Sequence, residues 1–186
     1  ISVSAFLLNR SSDLEIYADG KSVLFDLTYQ GETYNVNNAF APSVIYAMPV
    51  KRQSITLSGT GSLEGEMQLW KSQQGRFVVN TPLKHTGGTF ISEGVLEVNN
   101  TIQGDVDLRA RGTLAGNAVV AGNLKMEGAL NYEGCRLMPG SETGNIGVIT
   151  LKKGLTVDKR LFIESDIKDA DGSADLVKVE GDVTIS

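Results

Sequence analysis

Cysteine is nearly absent. The one thiol, Cys135, excludes an internal disulfide and any zinc cage built from several cysteines. With Leu130 and Leu137 nearby, it reads as a small buried hydrophobe rather than a reactive group. Histidine is just as scarce. His85 stands alone, so no histidine-based metal site can form, and an acid–base role would fall on this one imidazole. Beside Gly87-Gly88 it reads instead as a residue packed at a corner. Prolines number 4 and aromatics make up 6%, and no long apolar stripe of period 3.6 occurs, so no segment reads as a helix. Apolar runs such as Ala5-Phe6-Leu7-Leu8 are far too short to span a bilayer, which argues against membrane insertion. Lysine and arginine are scattered singly over a chain of net charge −5, so the electrostatic footprint of a nucleic-acid binder is missing.

What is abundant is glycine, 21 of 186 residues, and it punctuates a repeat. Gly104-Asp105-Val106-Asp107-Leu108 returns as Gly122-Asn123-Leu124-Lys125-Met126 and again as Gly181-Asp182-Val183-Thr184-Ile185. Each copy is a turn pair followed by strict apolar/polar alternation, the pattern of a short strand with one buried face. The period is close to 20 residues, and a unit that small cannot bury its apolar face alone. The expected fold is therefore all-β, a parallel β-helix in which units stack on one another, from about Ser54 to Ser186. Leu96, Val98, Val106, Leu108, Leu114, Leu124, Met126, Leu151, Val157, Ile163, Val183 and Ile185 should face its interior. Asp105, Asp107, Lys125 and Thr184 should face water.

Residues from Ile1 to about Met48 have a different texture. Short strand-like runs alternate with Asp19-Gly20 and Gln30-Gly31, which read as hairpin turns, and four of the five tyrosines lie here. The division expected is 1–50, a β-rich segment that caps the first layers or is left over from a neighbouring domain, and 51–186, the β-helix. The chain opens at Ile1 without a signal peptide, which reads as a piece of something longer.

His85 to Asn100 reads HTGGTFISEGVLEVNN, and here a family resemblance becomes specific. The stretch resembles the autotransporter-associated β-strand repeat of autotransporter passenger proteins. Thr86, Gly87, Gly88, Thr89, Ile91, Ser92, Gly94, Leu96 and Val98 match its recurrent form. His85 stands where an aromatic is usual, and Phe90 replaces a threonine. The next phrase, GTLAGNAVVAGNLKMEGAL, the turn Met138-Pro139-Gly140-Ser141 and the closing ADLVKVEGDVTIS are similar to later units of such arrays. The resemblance implies a right-handed parallel β-helix on an extracellular or outer-membrane-associated bacterial protein. It implies no particular ligand. Related repeats also occur on larger enzymes that handle polysaccharides.

Few residues offer chemistry. Asp105 and Asp107 are the first to weigh, because glycoside hydrolysis takes two carboxylates and residues i and i+2 on a strand point the same way. The competing reading places them on a solvated face beside Arg109 and Arg111, which favour the ionised form, whereas a general acid needs the opposite. Asp169, Asp171 and Asp175 surround Gly172 and are the candidates for a calcium ion, but an acidic turn accounts for them better, since the third early ligand and the distant glutamate of a calcium loop are missing. Trp70, Tyr34 and Tyr46 are the aromatics that would stack on sugar rings, set against the core role that strand aromatics more often have. The function expected is non-catalytic: a stalk or interaction segment of an exported surface protein, adhesin-like, meeting a polysaccharide or another surface protein and needing no cofactor. The alternative is a portion of a secreted glycoside hydrolase or polysaccharide lyase.

Overall fold

The computed structural model describes residues 6–7, 14–16, 22–25, 32–128, 134–141, 145–168 and 172–186. Among these, every regular element is a strand, and most strand pairs are parallel. They form three ladders. The first runs through Ser22–Phe25, Val44–Ala47, Gln68–Lys71, the start of Thr89–Val98, the start of Val106–Gly116, Leu124–Glu127, Leu155–Asp158 and Val183–Ile185. The second takes Glu32–Val36, Ser54–Ser58, Arg76–Val79, the later halves of the same two long strands, Cys135–Pro139 and Leu161–Ile163. The third is built from shorter pieces: Ala39–Phe40, Ser62–Leu63, Leu83, Thr101–Ile102, Val119–Val120, Val148–Leu151 and Leu176–Val179. The chain visits the first, second and third ladder in turn and then starts again one layer further on.

Parallel pairing in register places each side chain on its counterpart in the next layer. The inward column of the first ladder reads Ile45, Leu69, Thr89, Val106, Leu124, Leu155. Beside it stand Ala47, Lys71, Ile91, Leu108, Met126 and Val157. The second ladder contributes Ile55, Phe77, Leu96, Leu114 and Leu137, and the third Leu63, Leu83, Ile102, Val120 and Leu151. All of these are buried and meet in one core. At roughly 1.5–3 kcal/mol for each large apolar side chain removed from water, the columns supply the main stabilising force. Cys135 belongs to this core: its Sγ donates to the Leu108 carbonyl at 3.0 Å, and burial pushes the thiol up to about 11.

Layers must approach closely at their corners, and glycine permits it. A Cβ on Gly122 would collide with the carbonyl of Gly104 one layer back, so the repeated Gly-Asp/Asn phrase marks backbone touching backbone. Asparagine and aspartate then fasten the corners. Asp105 Oδ1 accepts from the Asn123 backbone N–H at 2.7 Å and its side-chain amide at 3.3 Å, and Asn123 Oδ1 accepts from Gly154 N–H at 3.4 Å. At another corner Asn99 Oδ1 accepts from Asn117 N–H, and Asn117 Oδ1 from Val148 N–H.

Several expectations need correction. Ile163, Val183 and Ile185 hold the expected inward register, opposite Leu137, Leu155 and Val157, yet are 54%, 53% and 76% exposed. No described strand stacks beyond them, so one side of each stays open. The expected hairpin turns at Asp19-Gly20 and Gln30-Gly31 lie outside the described residues. Ser22–Phe25 and Glu32–Val36 do not pair with each other but join different ladders, each parallel to a later strand. Leu14–Ile16 does pair antiparallel with Ser22–Phe25, and Phe6–Leu7 with Glu32–Val36, at the edges of those ladders. Ladder pairings run between the two expected segments, from Glu32–Val36 to Ser54–Ser58 and from Val44–Ala47 to Gln68–Lys71.

Leu108 tests the inward columns. Leu108→Asp buries an unpaired charge and loses packing against Ile91 and Met126, and should cost about 3–5 kcal/mol in denaturant unfolding. Unchanged stability would contradict the assigned faces.

Candidate functional site

The outward column of the first ladder carries the polar and aromatic side chains. In register it runs Tyr46, Trp70, Phe90, Asp107, Lys125, Thr156, Thr184. Over its middle lies a cleft of about 500 Å³. Thr86, Gly87 and Gly88 form one end, Asp105 and Asp107 the middle, and Asn123, Lys125 and Thr156 the other end, with Phe90 beside them. The two candidate acids therefore share a cleft, but each is engaged. Asp105 holds the Asn123 corner. Asp107 Oδ2 accepts from Arg109 Nη2 at 2.6 Å and Nε at 3.1 Å, which raises the guanidinium's already high pKa. Arg111, expected beside the pair, reaches Glu93 at 3.9 Å instead. Asp107 Oδ1 is shielded from solvent and has no hydrogen-bond partner. An acceptor left in that state needs a donor from somewhere.

Lys125 donates to Glu127 at 2.7 Å, an exposed pair within one strand, which raises the lysine and lowers the glutamate. The aromatic candidates separate. Tyr34 is a core residue, 7% exposed, because it shares the inward parity of Val36 and sits in register with Leu57. It is not positioned to stack on a ligand. Trp70 and Phe90 stack on each other, centroids 4.2 Å apart and planes 16° from parallel, with Trp70 Nε1 donating to Gln68 Oε1. The Arg109 guanidinium lies over the Phe90 ring at 5.9 Å. The face Trp70 turns to Phe90 is thus occupied by the next layer. Tyr46 is exposed at 36%.

Asp169 and Asp171 lie outside the described residues. Asp175, the third calcium candidate, uses both oxygens on the chain: Oδ1 accepts from Gly147 N–H at 2.8 Å and Oδ2 from Asp166 N–H at 2.9 Å. Among the described residues, no three His, Cys, Asp or Glu side chains gather in a metal-holding arrangement. Nor is any helix there long and apolar enough to cross a membrane.

Two buried titratable groups have structural surroundings. Lys71 is fully buried in an inward column, and its ammonium donates to the carbonyls of Ser72, Gln73 and Glu93 at 2.8, 2.8 and 2.9 Å. Burial pulls its pKa down to about 7, opposed by the Glu93 charge. Three acceptors match three N–H donors, so the geometry favours the charged form. The same contacts tie one layer to the next at Gly94, where a Cβ would sit 2.7 Å from Nζ. Alternation carried the signal for this residue, since Leu69, Trp70 and Lys71 put the lysine on the leucine's side. A second tie is the ion pair of Arg76 with Glu97, both largely buried.

His85 is buried at the corner beneath Thr86-Gly87-Gly88, with Nε2 2.9 Å from Thr89 Oγ1 and Nδ1 without a partner. Burial draws its pKa down to about 4; the nearby Gly88 backbone opposes the shift without reaching good hydrogen-bond geometry. No family model matches this chain, and no curated protein or solved structure is significantly similar to it.

The His85 environment sets a pH dependence. With the folded pKa near 4 and the unfolded value near 6.5, the unfolded chain binds more protons between them. The stability from neutral burial is complete above about pH 6.5, declines as pH falls, and levels off below about 4. The loss is on the order of 3 kcal/mol. It should appear as the difference between the parent and His85→Gln in chemical unfolding from pH 7 to 4. Parallel curves for the two would refute a buried neutral histidine.

Proposed function

We propose that the three ladders are the faces of a right-handed parallel β-helix, and that the chain is a non-catalytic stalk or interaction segment of an exported bacterial surface protein. The cyclic order of the ladders supports the winding, and the strong preference of parallel crossovers for one hand supports its sense. The autotransporter-like phrase from Thr86 to Val98 favours an extracellular or outer-membrane-associated setting. In that role the stack holds attached parts away from the cell and presents its outward columns to a polysaccharide or another surface protein.

The observation that carries the non-catalytic reading is the engagement of both carboxylates. Asp105 fastens one layer to the next, and Asp107 is held by Arg109, so each carboxylate is committed to a contact within the chain. A second reading, a portion of a glycoside hydrolase or polysaccharide lyase, draws on the same cleft, which gathers two acids and a lysine.

Incubation of the chain with plant, bacterial and host polysaccharides separates the two. The expected outcome is no new reducing ends and no unsaturated products. Should turnover appear and vanish in a folded Asp105→Asn/Asp107→Asn variant, the enzyme reading replaces this one.

A further inference from the structure

We infer that the cleft over the first ladder is a binding subsite for a neutral glycan. This rests on the non-catalytic reading of Asp105 and Asp107 and adds a ligand class to it. The cleft reaches from Thr86 across the Asp107 and Lys125 layers to Thr156, three layer spacings or about 14 Å along the stack. Its volume of about 500 Å³ lies in the usual range for small-ligand sites. An elongated, hydroxylated chain fits that outline.

The lining chemistry narrows the class. Asp107 lines the cleft with a side chain that is 21% exposed; its Oδ1 is shielded from solvent, so a ligand's donor meets the Oδ2 that also accepts from Arg109. Asn123 and Lys125 on one layer and Thr156 on the next are exposed donors and acceptors, and Gly87-Gly88 leaves backbone uncovered at the near end. A sugar's hydroxyls supply the donors that carboxylates want, and its C–H groups rest against Phe90. Two carboxylates beside one lysine disfavour phosphates and uronates. A peptide adding as a strand is also disfavoured. Val106–Arg109 is already paired on both sides, with Thr89–Ile91 and with Leu124–Glu127, so no backbone edge is open under the cleft. Recognition must run through side chains.

The test is an amide-shift titration of ¹⁵N-labelled protein with a cellulose-type glucose trimer, an N-acetylglucosamine trimer and a galacturonate trimer. One of the first two should shift the Gly87, Gly88, Asn123 and Thr156 amides. Thr156→Trp, which fills the far end without touching the core, should abolish those shifts. Asp107→Asn, which keeps the shape, should weaken binding by about tenfold. The proposal is overturned if neither neutral trimer moves these amides, if only the galacturonate does, or if the shifts survive in Thr156→Trp with native spectral dispersion. Cleavage of a bound trimer would overturn the non-catalytic reading while leaving the location of the subsite intact.

Discussion

Everything in this molecule depends on the parallel backbone ladder being kept in register from layer to layer. Because each residue sits over its counterpart, one position decides a whole column: leucine over leucine inside, asparagine over aspartate at a corner, tryptophan over phenylalanine outside. A slip by one residue would turn Val106, Leu108, Leu124 and Met126 to water and bring Asp107 and Lys125 into the core. Apolar burial supplies most of the stabilisation and excludes a slip by one residue, and the corner hydrogen bonds of Asp105, Asn123, Asn99 and Asn117 discriminate against a slip by two. Buried polar groups act in the same sense. Lys71 satisfies three carbonyls on two layers, and that arrangement exists only in one alignment.

The period-two alternation made the middle of the chain readable. Val106, Leu108, Leu124 and Met126 show their faces directly, and the Gly-Asp/Asn phrase shows where the layers touch. The same alternation contained more than it was made to yield. Tyr34 shares parity with Val36 and Lys71 with Leu69, so both were marked for the interior by position while their side-chain types pointed outward. Residues 32–47 escaped assignment to the ladders for a different reason. They lack the glycine phrase and follow Gln30-Gly31, which reads as a hairpin turn, so only the long-range partners at 54–71 reveal their pairing. Exposure at Ile163, Val183 and Ile185 was not legible either, because burial in a stack depends on having a layer on both sides.

The candidate site was half legible. Spacing brought out Asp105 and Asp107 as a pair, and they do line one cleft. What the spacing could not show is that each is already committed, one along the stack axis to Asn123 in the next layer and one to Arg109 on its own strand. The aromatic column is a similar case. Trp70 was noticed for its flat face, yet that face meets Phe90 one layer on. In a stacked fold, side chains with planar groups satisfy one another first, and what stays open is edges, column ends and gaps such as the one above Gly87-Gly88.

Register is tested most directly by cross-linking across a layer. Lys125 and Thr156 are opposed on the solvent face, and directly registered Cα atoms on neighbouring strands lie within disulfide reach. In a Cys135→Ala background, Lys125→Cys/Thr156→Cys should form a disulfide on mild oxidation and keep the native unfolding transition. The slipped pair Lys125→Cys/Val157→Cys should not, because Val157 points inward. Cross-linking of the slipped pair, or none in the registered one, would contradict the account.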